Sequence, residues 1–183
     1  MADLENKEDE ALMELYIKGE LVAFKELYSR YSTRIYGFLI RRLTGRHRTQ
    51  AMDLFQLTWL KLHESRSRFD RTKKFSAWIF TIALNSLRDL VGRKQLEVES
   101  DQLENQSSAL DSEEMMIQRE QWASLQDSLD KISSQQREIF LLCDWEGFSS
   151  KEVAEMVKIS EGNARQILMR ARKNLKTLAE ASS

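Results

Sequence analysis

Basic side chains are the residues of this chain whose grouping points most directly to chemistry, and that chemistry is phosphate binding. Five of the nine positions over 66–74 are Arg or Lys, and a second basic group lies over 165–176. Clustered Arg and Lys side chains neutralise phosphates, whereas the same residues without a partner are only a solvated face. The two groups are Arg66, Arg68, Arg71, Lys73 and Lys74, and then Arg165, Arg170, Arg172, Lys173 and Lys176.

The net charge of the chain hides this grouping. The 183 residues carry a formal charge of −1, which argues against a protein that simply coats DNA. Residues 1–10 hold five acids and one Lys, and residues 96–118 hold seven acids and no Lys or Arg. Two basic modules separated by an acidic segment can therefore cancel in total charge while each still binds phosphate.

An enzyme, a metal site or a bound cofactor is not expected from this sequence. His47 and His63 are 16 residues apart without a cysteine partner, and no glycine-rich phosphate loop occurs. Cys143 is the only cysteine, and its apolar neighbours predict a buried free thiol. No signal peptide is expected, and no apolar run approaches the roughly 18 residues of a membrane span. These features predict a protein of the reducing cytoplasm.

Helices should make up the whole fold. The chain has six glycines and no proline, and its apolar residues recur at spacings of three and four. One predicted buried stripe includes Met52, Trp59 and Leu60, with Trp59 as a core residue. We predict an all-α protein with two small helical domains, 8–95 and 115–180.

An acidic linker, 96–114, is predicted to join the two domains. Most of it is the sequence LEVESDQLENQSSALDS, which is rich in acids and serine and has no aromatic residue. Such a composition buries too little apolar surface to fold, and about 17 structureless residues are rare inside one compact domain. We therefore predict a flexible tether rather than an ordinary surface loop.

The second domain contains the spacing of a helix-turn-helix unit, counted from Ser150. Ala154 is small enough for the second helix to cross there, and Ser160 is placed to cap that helix. Lys158 occupies the position in the turn where a glycine in the left-handed conformation is usual. A lysine in that conformation costs on the order of 1 kcal/mol of stability, unless the turn has a slightly different shape. The apolar positions of the unit are occupied by Val153, Val157, Ile159, Ala164 and Ile167.

The second helix of this unit would recognise DNA. Helices of this kind enter the major groove with their first turns at base edges, while Lys and Arg further along hold phosphates. Arg165 and Gln166 are about 100° apart around the helix, so the sequence leaves open which of them faces the bases. A plain helical hairpin with a basic solvated face is the alternative. The candidate DNA-binding residues are Ser160, Glu161, Asn163, Arg165, Gln166, Arg170 and Lys173.

Segments from both predicted domains resemble one family. The sequence ISSQQREIFLLCDWEGFSSKEVAEMVKISEGNARQILMRARKNL (132–175) resembles region 4 of the extracytoplasmic-function (ECF) sigma factors of the sigma-70 family. In the first domain, AFKELYSRYSTRIYGFLIRRL resembles region 2.1, AMDLFQLTWLKLHESRSRF resembles region 2.2, and FSAWIFTIALNSLRDLVGRK resembles regions 2.3 and 2.4. Two matching blocks in the family's order, separated by a linker, are more specific evidence for this family than either block alone.

The resemblance implies a factor that binds core RNA polymerase, recognises and melts promoter DNA and directs initiation. Asp53 and Gln56 match the surface that docks on the clamp helices of the polymerase β′ subunit, and region 4 would dock on the β flap. Asn85 matches the polar residue beside the pocket that captures a flipped base of the minus-ten element. An anti-sigma factor is a further partner that is common in this family. The other first-domain residues assigned to DNA are Arg71, Lys73, Lys74, Arg88 and Arg93.

Two positions depart from the family pattern. Leu57 stands where the family usually has an acid, and Gln166 and Ile167 replace the usual Ser-Arg pair. Without the resemblance, the sequence would also suit a helix-turn-helix repressor or activator with an N-terminal helical dimerisation domain, or an all-α adaptor. A repressor binds symmetric half-sites as a free dimer, whereas a sigma factor binds polymerase first.

Overall fold

The computed structural model describes residues 4–95 and 125–181, and every regular element within those ranges is helical. The chain divides into two compact units, one formed mainly by residues up to 97 and one mainly by residues from 98 onward. The predicted all-α class with two helical domains is therefore confirmed. The predicted linker, 96–114, lies outside the described residues.

The first unit has four α-helices within its described residues. They are α1 (Asp9–Ile17), α2 (Leu21–Arg42), α3 (Ala51–Ser65) and α4 (Phe75–Gln95). Short 3-10 turns cover Gly45–Gln50 and Arg66–Arg68, before and after α3. In α2 the buried residues recur three or four apart, from Ala23 to Leu39, so one side stays against the core for the length of the helix.

Aromatic side chains fill the centre of the first unit. The rings of Phe38 and Phe80 meet edge-on with centroids 5.3 Å apart, and Tyr31 meets Phe75 in the same way at 5.1 Å. Pairs of this kind add about 0.5–1.5 kcal/mol beyond the area that they bury. Trp59 is only 6% exposed, which confirms the prediction that it is a core residue.

The predicted buried stripe of α3 is wrong at two positions. Met52 and Leu60 are 48% and 53% exposed. The helix carries more apolar residues than one buried side can hold, so the spacing alone did not show which of them stay outside. The side of α3 that faces the core is formed by Ala51, Leu54, Phe55, Thr58, Trp59 and Leu62.

Hydrogen bonds of Arg30 and Glu10 hold the acidic start of the chain against the rest of the first unit. The guanidinium of Arg30 donates to the carboxylates of Asp9 and Glu26, each at 2.7 Å, and to three backbone carbonyls that precede α1. The carboxylate of Glu10 accepts the backbone N–H of Phe75 at 2.8 Å. That bond satisfies one of the unpaired donors at the start of α4, so α1 holds the loop that precedes α4.

The described part of the second unit contains three short helices and one long one. They are α5 (125–131), α6 (Ser134–Phe140), α7 (Ser150–Val157) and α8 (Glu161–Ala181). Helix α6 continues into a π-helical turn, Leu141–Trp145. Helices α6 and α7 each begin with a capping box built on Ser133 and Ser149, which fixes where the helix starts.

A buried arginine joins α5 to α6. Arg137 is 4% exposed, and its Nε donates to the carbonyl of Leu129 at 2.6 Å. Its Nη2 donates to the carbonyl of Ile132 at 3.4 Å. Carbonyls at the end of a helix lack partners within the helix, so Arg137 satisfies acceptors that would otherwise be buried unpaired. This arginine is therefore structural.

Lys158 ends α7 in the left-handed conformation, with φ 59° and ψ 49°, so the turn keeps its usual shape without glycine. We expect Lys158→Gly to raise the free energy of unfolding of the second unit by about 1 kcal/mol, because glycine adopts this conformation without a Cβ clash. Glu155→Gly, at an exposed position in the middle of α7, is the control and should lower the free energy of unfolding by up to about 1 kcal/mol. Chemical denaturation measures both changes. A loss of stability in Lys158→Gly would contradict the presence of strain there.

Candidate nucleic-acid and protein interfaces

Helices α7 and α8 form the helix-turn-helix. The N–H of Ile159 donates to the carbonyl of Ala154 at 3.0 Å and closes the turn. The hydroxyl of Ser160 accepts the N–H of Asn163 at 3.2 Å, which confirms the predicted cap of the second helix. Ala154 and Ala164 are 4% and 0% exposed, so the two helices meet at small side chains.

Helix α8 is buried along one side and exposed along the other. The buried residues are Ala164, Ile167, Leu168, Ala171 and Leu175. At about 100° per residue, Gly162, Gln166, Met169 and Lys173 lie opposite that side, within about 60° of one another. All four are exposed to solvent, and Met169 is 64% exposed. We call these four residues the outer ridge.

The arginines of α8 lie beside the outer ridge, and two of them are engaged within the unit. Arg165 forms an ion pair with Glu161 one turn earlier. Arg172 donates from Nε to one oxygen of Asp144 at 2.8 Å and from Nη2 to the other oxygen. This pairing raises the pKa of Arg172 and ties α8 to the π-helical turn. Arg172 thus positions the helix, while Arg170 is exposed.

The single cysteine lies beside this ion pair. Cys143 is partly exposed, so the predicted burial of its thiol is wrong. Burial of part of the side chain, together with the neighbouring carboxylate of Asp144, raises the pKa of the thiol. A thiol of raised pKa holds little of the reactive thiolate at neutral pH.

The basic segment 66–74 is shaped by a turn at Asp70. Thr72 donates from its backbone N–H and from its hydroxyl to one oxygen of Asp70, at 2.9 Å and 2.7 Å. These hydrogen bonds lower the pKa of the Asp70 carboxyl. The Nη1 of Arg66 donates a hydrogen bond to the carbonyl of His63 at 2.6 Å. The exposed bases of the segment are Arg68, Arg71, Lys73 and Lys74.

Acidic residues of the first helix face the basic segment. The carboxylate of Glu14 lies 3.4 Å from the guanidinium of Arg71. A cavity of about 640 Å³ has acids on its α1 side and bases on its loop side. A phosphate bound at Arg71 would therefore replace a carboxylate contact. The charged residues that line the cavity are Glu8, Asp9, Glu10, Arg30, Arg71, Lys73 and Lys74.

Asn85 is exposed on α4 at a cleft of about 400 Å³. The cleft is lined by Lys61, Glu64, Ser65, Arg68, Ile82 and Asn85. One apolar wall combined with hydrogen-bond donors and acceptors suits a planar polar group such as a nucleobase. Arg88 is partly exposed one turn further along α4. Arg93 lies near the end of the same helix, and its side chain is outside the described residues.

Helix α3 presents a second exposed surface. Asp53, Gln56 and Leu60 fall within about 60° of one another around the helix, and Met52 lies beside them. We call these four residues the α3 surface. All four are exposed. Large apolar side chains at the surface, next to an acid and an amide, are typical of protein-binding patches. The two residues assigned to polymerase from the sequence thus lie on the same side of one helix.

Two sequence families match the two units of the chain. "Sigma-70 region 2" matches residues 27–97, and "Sigma-70, region 4" matches residues 122–175. The RNA polymerase sigma factor CarQ of Myxococcus xanthus is 33% identical over 173 residues, which cover 92% of this chain and 94% of CarQ. The chain belongs to the sigma-70 family of RNA polymerase sigma factors. As a sigma factor, it directs promoter-specific transcription initiation.

Further relatives place the sigma factor in the ECF subfamily. The ECF sigma factor SigM of Mycobacterium tuberculosis is 26% identical over 172 residues, covering 94% of this chain and 85% of SigM. CnrH, solved in complex with the cytosolic domain of CnrY, has a TM-score of 0.73 at 24% identity, covering 96% of this chain and 99% of CnrH. The sigma factor RpoE of Bartonella quintana, solved with the anti-sigma factor NepR, has a TM-score of 0.70 at 22% identity. The match covers 87% of this chain and 98% of RpoE. Both structures share the fold.

Within residues 4–95 and 125–181 of the sigma factor, no helix is long and apolar enough to cross a membrane. The same ranges hold no group of three or more His, Cys, Asp or Glu that could bind a metal ion.

Proposed function

We propose that this sigma factor docks on the β′ clamp helices of core RNA polymerase through the α3 surface. Asp53 and Gln56 support this, because both are exposed on one side of α3. Met52 and Leu60 beside them would supply apolar area, and the Asp53 carboxylate would select cationic groups of the partner. Leu57 adds apolar surface at the position where the family usually has an acid.

The first unit also holds the minus-ten element in this proposal. The exposed bases of the segment 66–74 contact phosphates, and Asn85 contacts a base flipped into the adjacent cleft. Flipping a base costs a few kcal/mol of stacking and pairing energy, which contacts in the cleft offset without nucleotide hydrolysis. The proposed DNA contacts of this unit are Arg71, Lys73, Lys74, Asn85, Arg88 and Arg93.

The second unit reads the minus-thirty-five element and docks on the β flap. The observation that carries the DNA part is a helix-turn-helix whose second helix has a capped start and an exposed cationic side. The start of that helix favours phosphate, and its first turns face base edges. The proposed contacts are Ser160, Glu161, Asn163, Arg165, Gln166, Arg170 and Lys173.

The proposal assigns these tasks to separate parts of the chain: 8–95 for polymerase docking and the minus-ten element, 115–180 for the minus-thirty-five element, and 96–114 as the tether. The chain catalyses nothing itself and needs no cofactor. It acts in the cytoplasm, where the polymerase is. An anti-sigma factor is a further proposed partner, in keeping with the complex of the Bartonella quintana sigma factor with NepR.

Co-purification of the full chain with core RNA polymerase tests the proposal. We expect a one-to-one complex that forms without DNA, and weak DNA binding by the free chain. Equilibrium binding of the free chain to short palindromic and non-palindromic duplexes is the companion measurement. A dimer that binds palindromic DNA tightly and does not bind core polymerase would favour the repressor alternative instead.

A further inference from the structure

The outer ridge of α8 contains a large apolar side chain where polar ones are expected. Met169 is 64% exposed, and the residues three and four positions away on either side are Arg165, Gln166, Arg172 and Lys173. An exposed methionine surrounded by cationic and amide groups adds little to the stability of the unit, because most of its surface stays in water. Its position suits a partner that is anionic and also offers a small apolar group.

Gly162, at the start of the same ridge, is a second feature that the fold does not explain. Gly162 is the second residue of α8, where glycine costs no more than the roughly 1 kcal/mol, relative to alanine, of a position in the middle of a helix. A Cβ on Gly162 would meet nothing within 4 Å. The space in front of Gly162 is therefore open to an external partner that approaches the backbone closely.

Arg165 is displaced from the ridge. It lies about 70° to one side of the ridge centre at about 100° per residue, and it is paired with Glu161. Gln166 stands on the ridge itself, between Gly162 and Met169. The side of α8 that points furthest from the core thus carries glycine, glutamine, methionine and lysine.

From these observations we propose that Met169 is a specificity-determining residue that contacts the methyl group of a thymine in the major groove. The proposal rests on the function proposed above. Close approach at Gly162 brings the helix into the groove, Lys173 holds phosphate, and Gln166 faces an adjacent base edge. In the major groove, thymine alone presents a methyl group, and glutamine pairs with adenine. The helix therefore selects an A·T-containing step.

Replacing thymine by deoxyuridine removes only this methyl group, which makes a sharp test. A randomised promoter pool transcribed by core polymerase with the full chain first yields the preferred minus-thirty-five sequence. Each thymine of that sequence is then changed to deoxyuridine, and promoter affinity is measured for holoenzymes with the wild-type chain and with Met169→Ala. The loss of one buried methyl group corresponds to about fourfold in affinity.

We expect one thymine whose change to deoxyuridine weakens the wild-type holoenzyme about fourfold and leaves the Met169→Ala holoenzyme unaffected. Leu21→Ala, which removes an apolar side chain of 66% exposure from the first unit, is the control and should retain the wild-type response. Equal losses in wild type and Met169→Ala at every thymine, or no thymine preference at all, would overturn the proposal. Failure of the wild-type chain to select any promoter would instead overturn the proposed function, and this inference with it.

Gly162→Ala tests the close approach separately. We expect a higher melting temperature, because alanine favours the helix, together with at least severalfold weaker promoter binding. Higher thermal stability with unchanged promoter affinity would show that nothing approaches Gly162, and would overturn this part of the proposal.

Discussion

Replacing Asn85 with alanine is expected to lower initiation from duplex promoters about tenfold, with a much smaller loss on templates whose minus-ten region is already unpaired. Asn85 is exposed beside the α4 cleft, so its loss removes a hydrogen bond to the flipped base rather than a core contact. A pre-opened template no longer requires the base to be extracted from the duplex. Run-off transcription on paired and pre-opened versions of one promoter measures the difference.

Asn174→Ala provides a control for the loss of an amide side chain. Asn174 is also exposed, on α8, and donates to the side chain of Gln136 at 3.3 Å. Its replacement should affect duplex and pre-opened templates equally. If Asn85→Ala reduces transcription from both templates to the same extent, Asn85 acts in folding or in polymerase docking, and the assignment of the cleft to a flipped base is wrong.

A second large effect is expected at Asp53. Asp53→Ala should weaken binding to core polymerase about tenfold, because a carboxylate that pairs with a cation in a protein interface contributes strongly when desolvated. The free energy of unfolding should change by less than about 0.5 kcal/mol, since Asp53 is exposed and only supports the start of α3 through the helix dipole. Competition binding to core polymerase and thermal unfolding measure the two quantities.

Glu20→Ala is the matched variant for Asp53. Glu20 is an exposed acid of the same unit, at the turn before α2, and its side chain makes no capping hydrogen bond. It should leave polymerase binding unchanged. Should Asp53→Ala unfold the first unit and leave polymerase affinity intact, the carboxylate would be a structural residue and the α3 surface would lose its main polar group.

The helix-turn-helix is the part of the molecule that the sequence predicts best. Its signals are local: a small residue at the crossing, a serine before the second helix and a position that requires the left-handed conformation. Ser160 and Lys158 take those roles in the structure. Local rules suffice here because each contact joins residues within about one helical turn of each other.

The contacts that position the sites join residues far apart in sequence, and spacing does not reveal them. Arg172 meets Asp144 across 28 positions, and Phe75 meets Glu10 across 65. The basic neighbours of Arg172 predict that it binds phosphate, and nothing in its local sequence identifies Asp144 as a partner. Such pairs become visible only when the helices are packed.

The α3 surface shows a different limit of sequence reasoning. Leu60 and Trp59 are adjacent apolar residues, yet one is 53% exposed and the other 6%. Periodicity predicts that a helix has a buried stripe, but it does not show how wide that stripe is. An apolar residue that binds a partner therefore has the same spacing as a core residue. The exposure of Leu60 next to Gln56 had to come from the structure.

Transcription by core polymerase from a pool of genomic promoter fragments, with and without the full chain, shows whether the chain directs initiation at particular promoters. We expect new, discrete start sites that appear only with the chain and share a two-part upstream sequence. We also expect the chain to bind the polymerase before DNA. Unchanged start sites, with tight binding of the free chain to symmetric DNA, would contradict the account.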